Sequence, residues 1–191
     1  YQLNPHFLFN TLNSISTLVL LKQTEPANAM LSRLSSFLRY TLVNEPTARV
    51  TVAQEIETLQ LYLDIERMRF EERLRTSFKI DPVTEQALLP SLLLQPLAEN
   101  AIQYSVAEVA GEVLLHIDVS VLANKLQITI AQDGATAQGG WPDTQQPTNL
   151  LNLAERLQLL FGDKAHLLLS QSTNGFYSQI SLPTEALDGS A

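Results

Sequence analysis

Up to about residue 73 the apolar residues recur at the three- and four-residue spacing of helices; beyond it they mostly alternate, the mark of strands. Residues 1–21 read as a first helix. At about 100° per residue, His6, Asn10, Asn13 and Thr17 fall on one polar stripe, with Leu8, Leu12, Ile15 and Val19 almost diametrically opposite. A second helix opens at Thr24-Glu25-Pro26, carries Met30, Leu34, Phe37 and Thr41 inward to Leu42, and stops at Asn44-Glu45-Pro46. Thr51-Val52-Ala53-Gln54 has the capping-box form and starts a third, whose face is Val52, Ile56, Leu59, Leu63 and Phe70 up to about Arg73.

A strand is expected at Arg75 to Ile80, then an Asp81-Pro82 turn and a loop to Pro90. Leu92 to Ile102 reads as a buried helix with a polar edge. Val113 to Val121 and Leu126 to Ile130 alternate around Leu122-Ala123-Asn124 and predict a hairpin. Residues 133–148, rich in Gly, Gln, Thr and Pro, read as a mobile loop. Asn149 to Phe161 is helical, with Leu150, Leu153, Leu157 and Leu160 inward and Gly162 as its stop. His166 to Ser170 and Phe176 to Leu182 predict a second hairpin across Thr173-Asn174-Gly175, followed by a frayed tail. The expected fold class is α+β, helices layered on an antiparallel-rich sheet, with a boundary near Arg73-Leu74-Arg75.

Composition narrows the function. A formal net charge of −8 and a pI near 4.8 oppose broad nucleic-acid binding, although Arg67, Arg69, Arg73 and Arg75 make a local basic cluster. With no cysteine, disulfides and thiolate metal sites are excluded, which suits a reducing compartment. No apolar run is long enough to span a bilayer. The chain starts at Tyr1 without methionine, and we expect it to be a piece of something longer.

Two positions break the packing pattern in a way that suggests chemistry. His6 lies on the wet stripe, where an unperturbed imidazole is neutral and nucleophilic, and the ordered asparagines beside it speak against a plain surface histidine. Glu66 sits on an apolar face, where a carboxylate needs a partner: a nearby arginine, or whatever docks there.

Five stretches, in order, make the chain resemble the kinase region of the autolysin-sensor (LytS-like) family of two-component sensor histidine kinases. They are Asn4-Pro5-His6-Phe7-Leu8-Phe9-Asn10-Thr11-Leu12-Asn13; Phe37-Leu38-Arg39-Tyr40; Tyr62-Leu63-Asp64-Ile65-Glu66-Arg67-Met68-Arg69-Phe70; Leu94-Gln95-Pro96-Leu97-Ala98-Glu99-Asn100-Ala101-Ile102; and Asn152-Leu153-Ala154-Glu155-Arg156-Leu157. The resemblance implies a helical dimerisation and phosphoacceptor region over 1–73, a GHKL-type ATP-binding α/β sandwich over 74–185, and a tail at 186–191. It implies that His6 accepts the γ-phosphoryl group of ATP and passes it to a response-regulator aspartate, with Asn10 and Asn13 orienting the reacting groups. Glu99 matches the carboxylate that positions or activates them, and Asn100 matches the residue that helps hold Mg²⁺. A homodimer, a response regulator as partner, and a membrane-anchored parent with this part in the cytoplasm follow from the same resemblance.

The departures concentrate in the nucleotide site. Gln103, Tyr104 and Ser105 stand where the family has a basic residue and a histidine. The Asp-Asn-Gly-x-Gly loop aligns with Gln132-Asp133-Gly134-Ala135-Thr136, so the adenine-binding aspartate becomes Gln132 unless Asp133 serves after a one-residue shift. The later Gly-x-Gly-Leu aligns with Thr148-Asn149-Leu150 and lacks both glycines, and Gly139 and Gly140 do not restore it. ATP and Mg²⁺ binding is therefore expected to be weakened. The alternative is a pseudokinase, a dimeric scaffold for a response regulator; a GHKL-type ATPase outside any phosphorelay fits the first helix less well.

Overall fold

A computed structural model describes residues 4–45, 48–103, 111–133, 148–172 and 175–183. The chain begins with helices α1 (Pro5–Leu20) and α2 (Thr24–Val43), followed by strand β1 (Arg49–Thr51) and helix α3 (Val52–Phe70). Then come β2 (Leu74–Ile80), β3 (Leu88–Pro90), α4 (Gln95–Ala101), β4 (Val113–Leu122), β5 (Lys125–Asp133), α5 (Thr148–Phe161), β6 (His166–Ser172) and β7 (Gly175–Pro183).

Local chemistry sets the helix starts. The Asn4 side chain accepts from the backbone N–H of His6 at 3.0 Å and of Phe7 at 3.4 Å, and Pro5 takes the first helical position, where no N–H is needed. Thr51 and Gln54 close the expected capping box, at 3.0 and 3.2 Å. Gly162, at φ +57, ends α5 as expected.

The three long helices meet through one aromatic ring from each: Phe7, Phe37 and Tyr62, with centroids 4.9 to 6.1 Å apart. This contact turns α1 away from the orientation its apolar stripe suggests. Phe7 and Thr11 are buried, Leu8 and Ile15 only half-buried, and Leu12 and Val19 remain 44% and 60% exposed. Within one chain α1 has α2 and α3 to pack on, and the aromatic cluster claims the neighbouring edge of the helix. The Thr11 hydroxyl is satisfied by donating to the Phe7 carbonyl at 2.8 Å.

The main sheet runs in the order β2-β4-β5-β7-β6, with β2 parallel to β4 and every other pair antiparallel. Residues such as Leu115, Ile117, Ile128, Ile130 and Ile180 are buried on the face covered by α3, α4 and α5, while the alternate positions form an open polar face. The β4–β5 hairpin turns at Ala123 and Asn124, both with positive φ (52° and 62°), a turn that matches the strand twist. Two expectations shift. The segment up to Pro90, read as loop, contains β3, which pairs antiparallel with β1 and ties the start of α3 to the second half of the chain. Leu160, expected inward, is 45% exposed, whereas Leu150, Leu153 and Leu157 are buried.

Residues 134–147, most of the expected mobile loop, lie outside the described residues. Among the described residues no helix is long and apolar enough to cross a membrane.

Candidate functional site

His6 lies in the first turn of α1 with its ring exposed to solvent. Its Nδ1 is 3.0 Å from the Asn10 side-chain nitrogen, one helical turn on. The polar stripe read from periodicity thus contains a real pair, with the ring held from one side and its Nε2 without a partner among the described residues. Asn13 is exposed farther along the helix.

The second group sits on α4 and the end of β5, which pack against each other. Asn100 is 1% exposed and its Oδ1 is enclosed without a hydrogen-bond partner. Gln132 is 2% exposed, and both Oε1 and Nε2 are enclosed and unpartnered. Glu99, half-buried, accepts from Gln95 Nε2 at 3.3 Å; Gln103 is exposed just beyond α4. Leu150 is buried in the first turn of α5, where the backbone of Asn149 also lies. Buried carboxamide atoms that lack partners among the described residues are what a site for a polar ligand requires.

Adjacent strand residues point to opposite faces, so Gln132 and Asp133 cannot share one task. The Asp133 carboxylate stands on the open face, 3.0 Å from His116 Nε2. The shifted register considered for the aspartate is therefore not the one the fold adopts: Gln132 faces the helices. Gly175 secures that position, because a Cβ there would overlap the Gln132 carbonyl oxygen. Gly134, Tyr104, Ser105, Gly139 and Gly140 lie outside the described residues.

Sequence reasoning missed the best-connected carboxylate. Glu55 of α3, 3% exposed, accepts from the backbone N–H groups of Leu92 (3.1 Å), Leu93 (2.8 Å) and Leu94 (3.2 Å), the segment that leads into α4. From α5, Arg156 donates to the Ser91 carbonyl at 2.7 Å and to that of Leu92 at 3.5 Å. Leu92 itself holds φ +59°, a conformation costly for a side chain with a Cβ. Burial pushes the Glu55 carboxyl up, while the three N–H donors and Arg156 pull it down. None of these partners can accept a proton, so the bonds belong to the ionised form. The Tyr40 phenol is pushed up to about 12, first by burial and then by the charge of Glu55. The signal was available: Glu55 lies on the same stripe as Val52, Ile56 and Leu59, as Glu66 does three turns later.

Glu66 is paired with Arg69 at 2.6 Å through Oε2, leaving Oε1 enclosed without a partner. Burial raises its pKa, and the Arg69 charge and hydrogen bond only partly offset this. A carboxyl raised in the folded state favours folding most below its ordinary value of 4.5, and the benefit is lost as pH rises through the folded value. Urea unfolding at several pH values should therefore show wild type losing stability relative to Glu66→Gln as pH rises above 4.5. A difference that stays flat across that range would contradict the raised pKa.

A family profile described as histidine kinase matches residues 1–74. The sensor histidine kinase YesM of Bacillus subtilis (strain 168) is 34% identical over 185 residues, covering 95% of this chain and 32% of its own length. The sensor protein LytS of Staphylococcus epidermidis (strain ATCC 35984) is 31% identical over 184 residues, 91% of this chain and 31% of its own length. Sensor histidine kinase BtsS of Escherichia coli (strain K12) is 36% identical over 163 residues, 85% of this chain and 28% of its own length. The chain thus spans about a third of the length of the curated relatives it matches. Among solved structures, Acinetobacter baumannii histidine kinase AdeS superposes with a TM-score of 0.54 at 16% identity, over 87% of this chain and 83% of that one. The catalytic domain of histidine kinase ThkA gives 0.54 at 13% identity, over 71% and 95%. At these identities the likeness is one of fold, and that fold is the GHKL-type sandwich of histidine-kinase catalytic domains.

Proposed function

We propose that this chain is the kinase region of a LytS-like sensor histidine kinase, which autophosphorylates on His6 with Mg-ATP and passes the phosphoryl group to a response-regulator aspartate; its similarity to YesM and LytS and the histidine kinase profile over residues 1–74 support this reading. The observation that carries this reading is the pair of enclosed groups without a partner among the described residues, Asn100 Oδ1 and the Gln132 carboxamide, in a chain that also exposes the His6–Asn10 pair. ATP with Mg²⁺ would supply the phosphoryl group and the metal charge that neutralises it. Asn100 offers a hard oxygen of the kind Mg²⁺ accepts, and Glu99 is the carboxylate for positioning or activating the reacting groups. Gln132 and Leu150 would meet the base and its surroundings. Gln103, Gly134 and Asn149 are proposed to border the nucleotide, as is the backbone of Asp133, whose side chain is engaged elsewhere.

In this proposal residues 1–73 form the acceptor and dimerisation region, 74–185 the nucleotide-binding domain and 186–191 a tail, with α3 in contact with both halves. Phe9, Leu12, Val19 and Leu20 leave an exposed apolar strip on α1, suited to a second copy of the chain. Sedimentation equilibrium at tens of micromolar is expected to give twice the chain mass; a monomer there would remove the dimer from the reading.

The direct test of the activity is incubation with γ-labelled ATP and Mg²⁺. Acid-labile, alkali-stable label on the wild-type chain that is absent from His6→Gln supports the proposal, and absence of label even in the full-length protein counts against it.

A further inference from the structure

We propose that Gln132 reads a purine base through both ends of its carboxamide, so that the site takes adenine and guanine nucleoside triphosphates alike. This rests on the nucleotide-binding reading above and specifies its base preference. Three observations carry it. Gln132 follows Leu126, Ile128 and Ile130 on the covered face of β5 and is 2% exposed. Both polar atoms of its side chain are enclosed and have no partner among the described residues. The neighbouring carboxylate, Asp133, is on the opposite face and held near His116, so the group that faces the covered side is neutral.

A carboxamide carries an acceptor oxygen and a donor NH₂ side by side. The adenine edge presents a donor, the 6-amino group, next to an acceptor, N1. The guanine edge presents the reverse, the O6 acceptor next to the N1–H donor. Turning the Gln132 side chain about its last torsion exchanges oxygen and nitrogen, so one residue can complete either edge with two hydrogen bonds. A carboxylate in the same place accepts only. It would accept a hydrogen bond from the adenine amino group but set its lone pairs against guanine O6, leaving a buried acceptor facing an acceptor. Exchanging carboxylate for carboxamide removes the repulsive element that discriminates, and it explains why both Gln132 atoms are left open rather than one.

The test is calorimetric titration of the whole chain with Mg²⁺ and the β,γ-imido analogues of ATP and GTP, read as binding rather than turnover. Wild type should bind the two within about 5-fold of each other. Restoring the carboxylate in Gln132→Asp should weaken the GTP analogue relative to the ATP analogue by about 10-fold or more, the range expected for losing a bidentate base contact. Gln132→Leu should weaken both by similar factors. Wild type preferring the ATP analogue by more than about 50-fold overturns the dual reading and leaves the nucleotide site standing. Binding of neither analogue by folded protein, checked by circular dichroism, overturns the nucleotide reading itself.

Discussion

His6→Gln is expected to lower acid-labile phosphate incorporation by on the order of 10³-fold or more, to background, with folding and nucleotide affinity unchanged. Glutamine keeps a polar group of similar reach but has no nucleophilic nitrogen. The His6 ring is exposed, and the start of α1 is held by the Asn4 cap and Pro5 rather than by the ring. The proposed nucleotide residues are on other elements, α4, β5 and α5. Asn10→Leu should cost less, about 10- to 100-fold, because it removes orientation and not the acceptor. Carboxamide and ring are in hydrogen-bond reach at 3.0 Å, and with Asn10 Oδ1 turned toward Nδ1–H the proton stays on Nδ1 and the Nε2 lone pair is free to attack. Phosphoramidate persisting in His6→Gln would place the acceptor elsewhere.

Glu55→Leu is expected to destabilise the fold by about 3–5 kcal/mol, a lower urea midpoint at unchanged slope. The side chains are similar in bulk, so the loss lies in polar bookkeeping: three backbone N–H groups at Leu92, Leu93 and Leu94 lose their acceptor inside the protein. The Arg156 guanidinium also loses a nearby negative charge. Leu92, at φ +59°, is held against its own preference by these bonds, so the segment should relax once they go. Glu55→Gln should fall between the two, since one oxygen can still accept from Leu93 and Leu94 while the new NH₂ faces another donor. A change below about 0.5 kcal/mol in Glu55→Leu would show that the segment keeps its shape by packing alone.

The same residues explain what could be read from the chain and what could not. Helices with strong periodicity and local caps were legible: Thr51 with Gln54, and Gly162, act within a few residues of themselves. The hairpins were legible for the same reason, alternation plus a turn. β1 and β3 were not, since three-residue strands carry no period and exist because Arg49–Thr51 meets Leu88–Pro90 across almost forty residues. The buried face of α1 was misjudged by one position, because which edge packs depends on where Phe37 and Tyr62 stand.

At the site, periodicity by itself placed His6 and Asn10 on one polar stripe, whereas Glu99 and Asn100 stood out only through the resemblance of the stretch Leu94 to Ile102 to the kinase family. The choice between Gln132 and Asp133 needed the tertiary structure. A strand's alternation says that they face opposite ways but not which way is in. That was decided when α4 and α5 covered one face of the sheet, leaving Gln132 enclosed and Asp133 beside His116. Glu55 was decided in the same manner: its position on an apolar stripe is written in the sequence, but its three partners came to it only when the chain folded back, because a buried charge takes its role from whatever donors surround it.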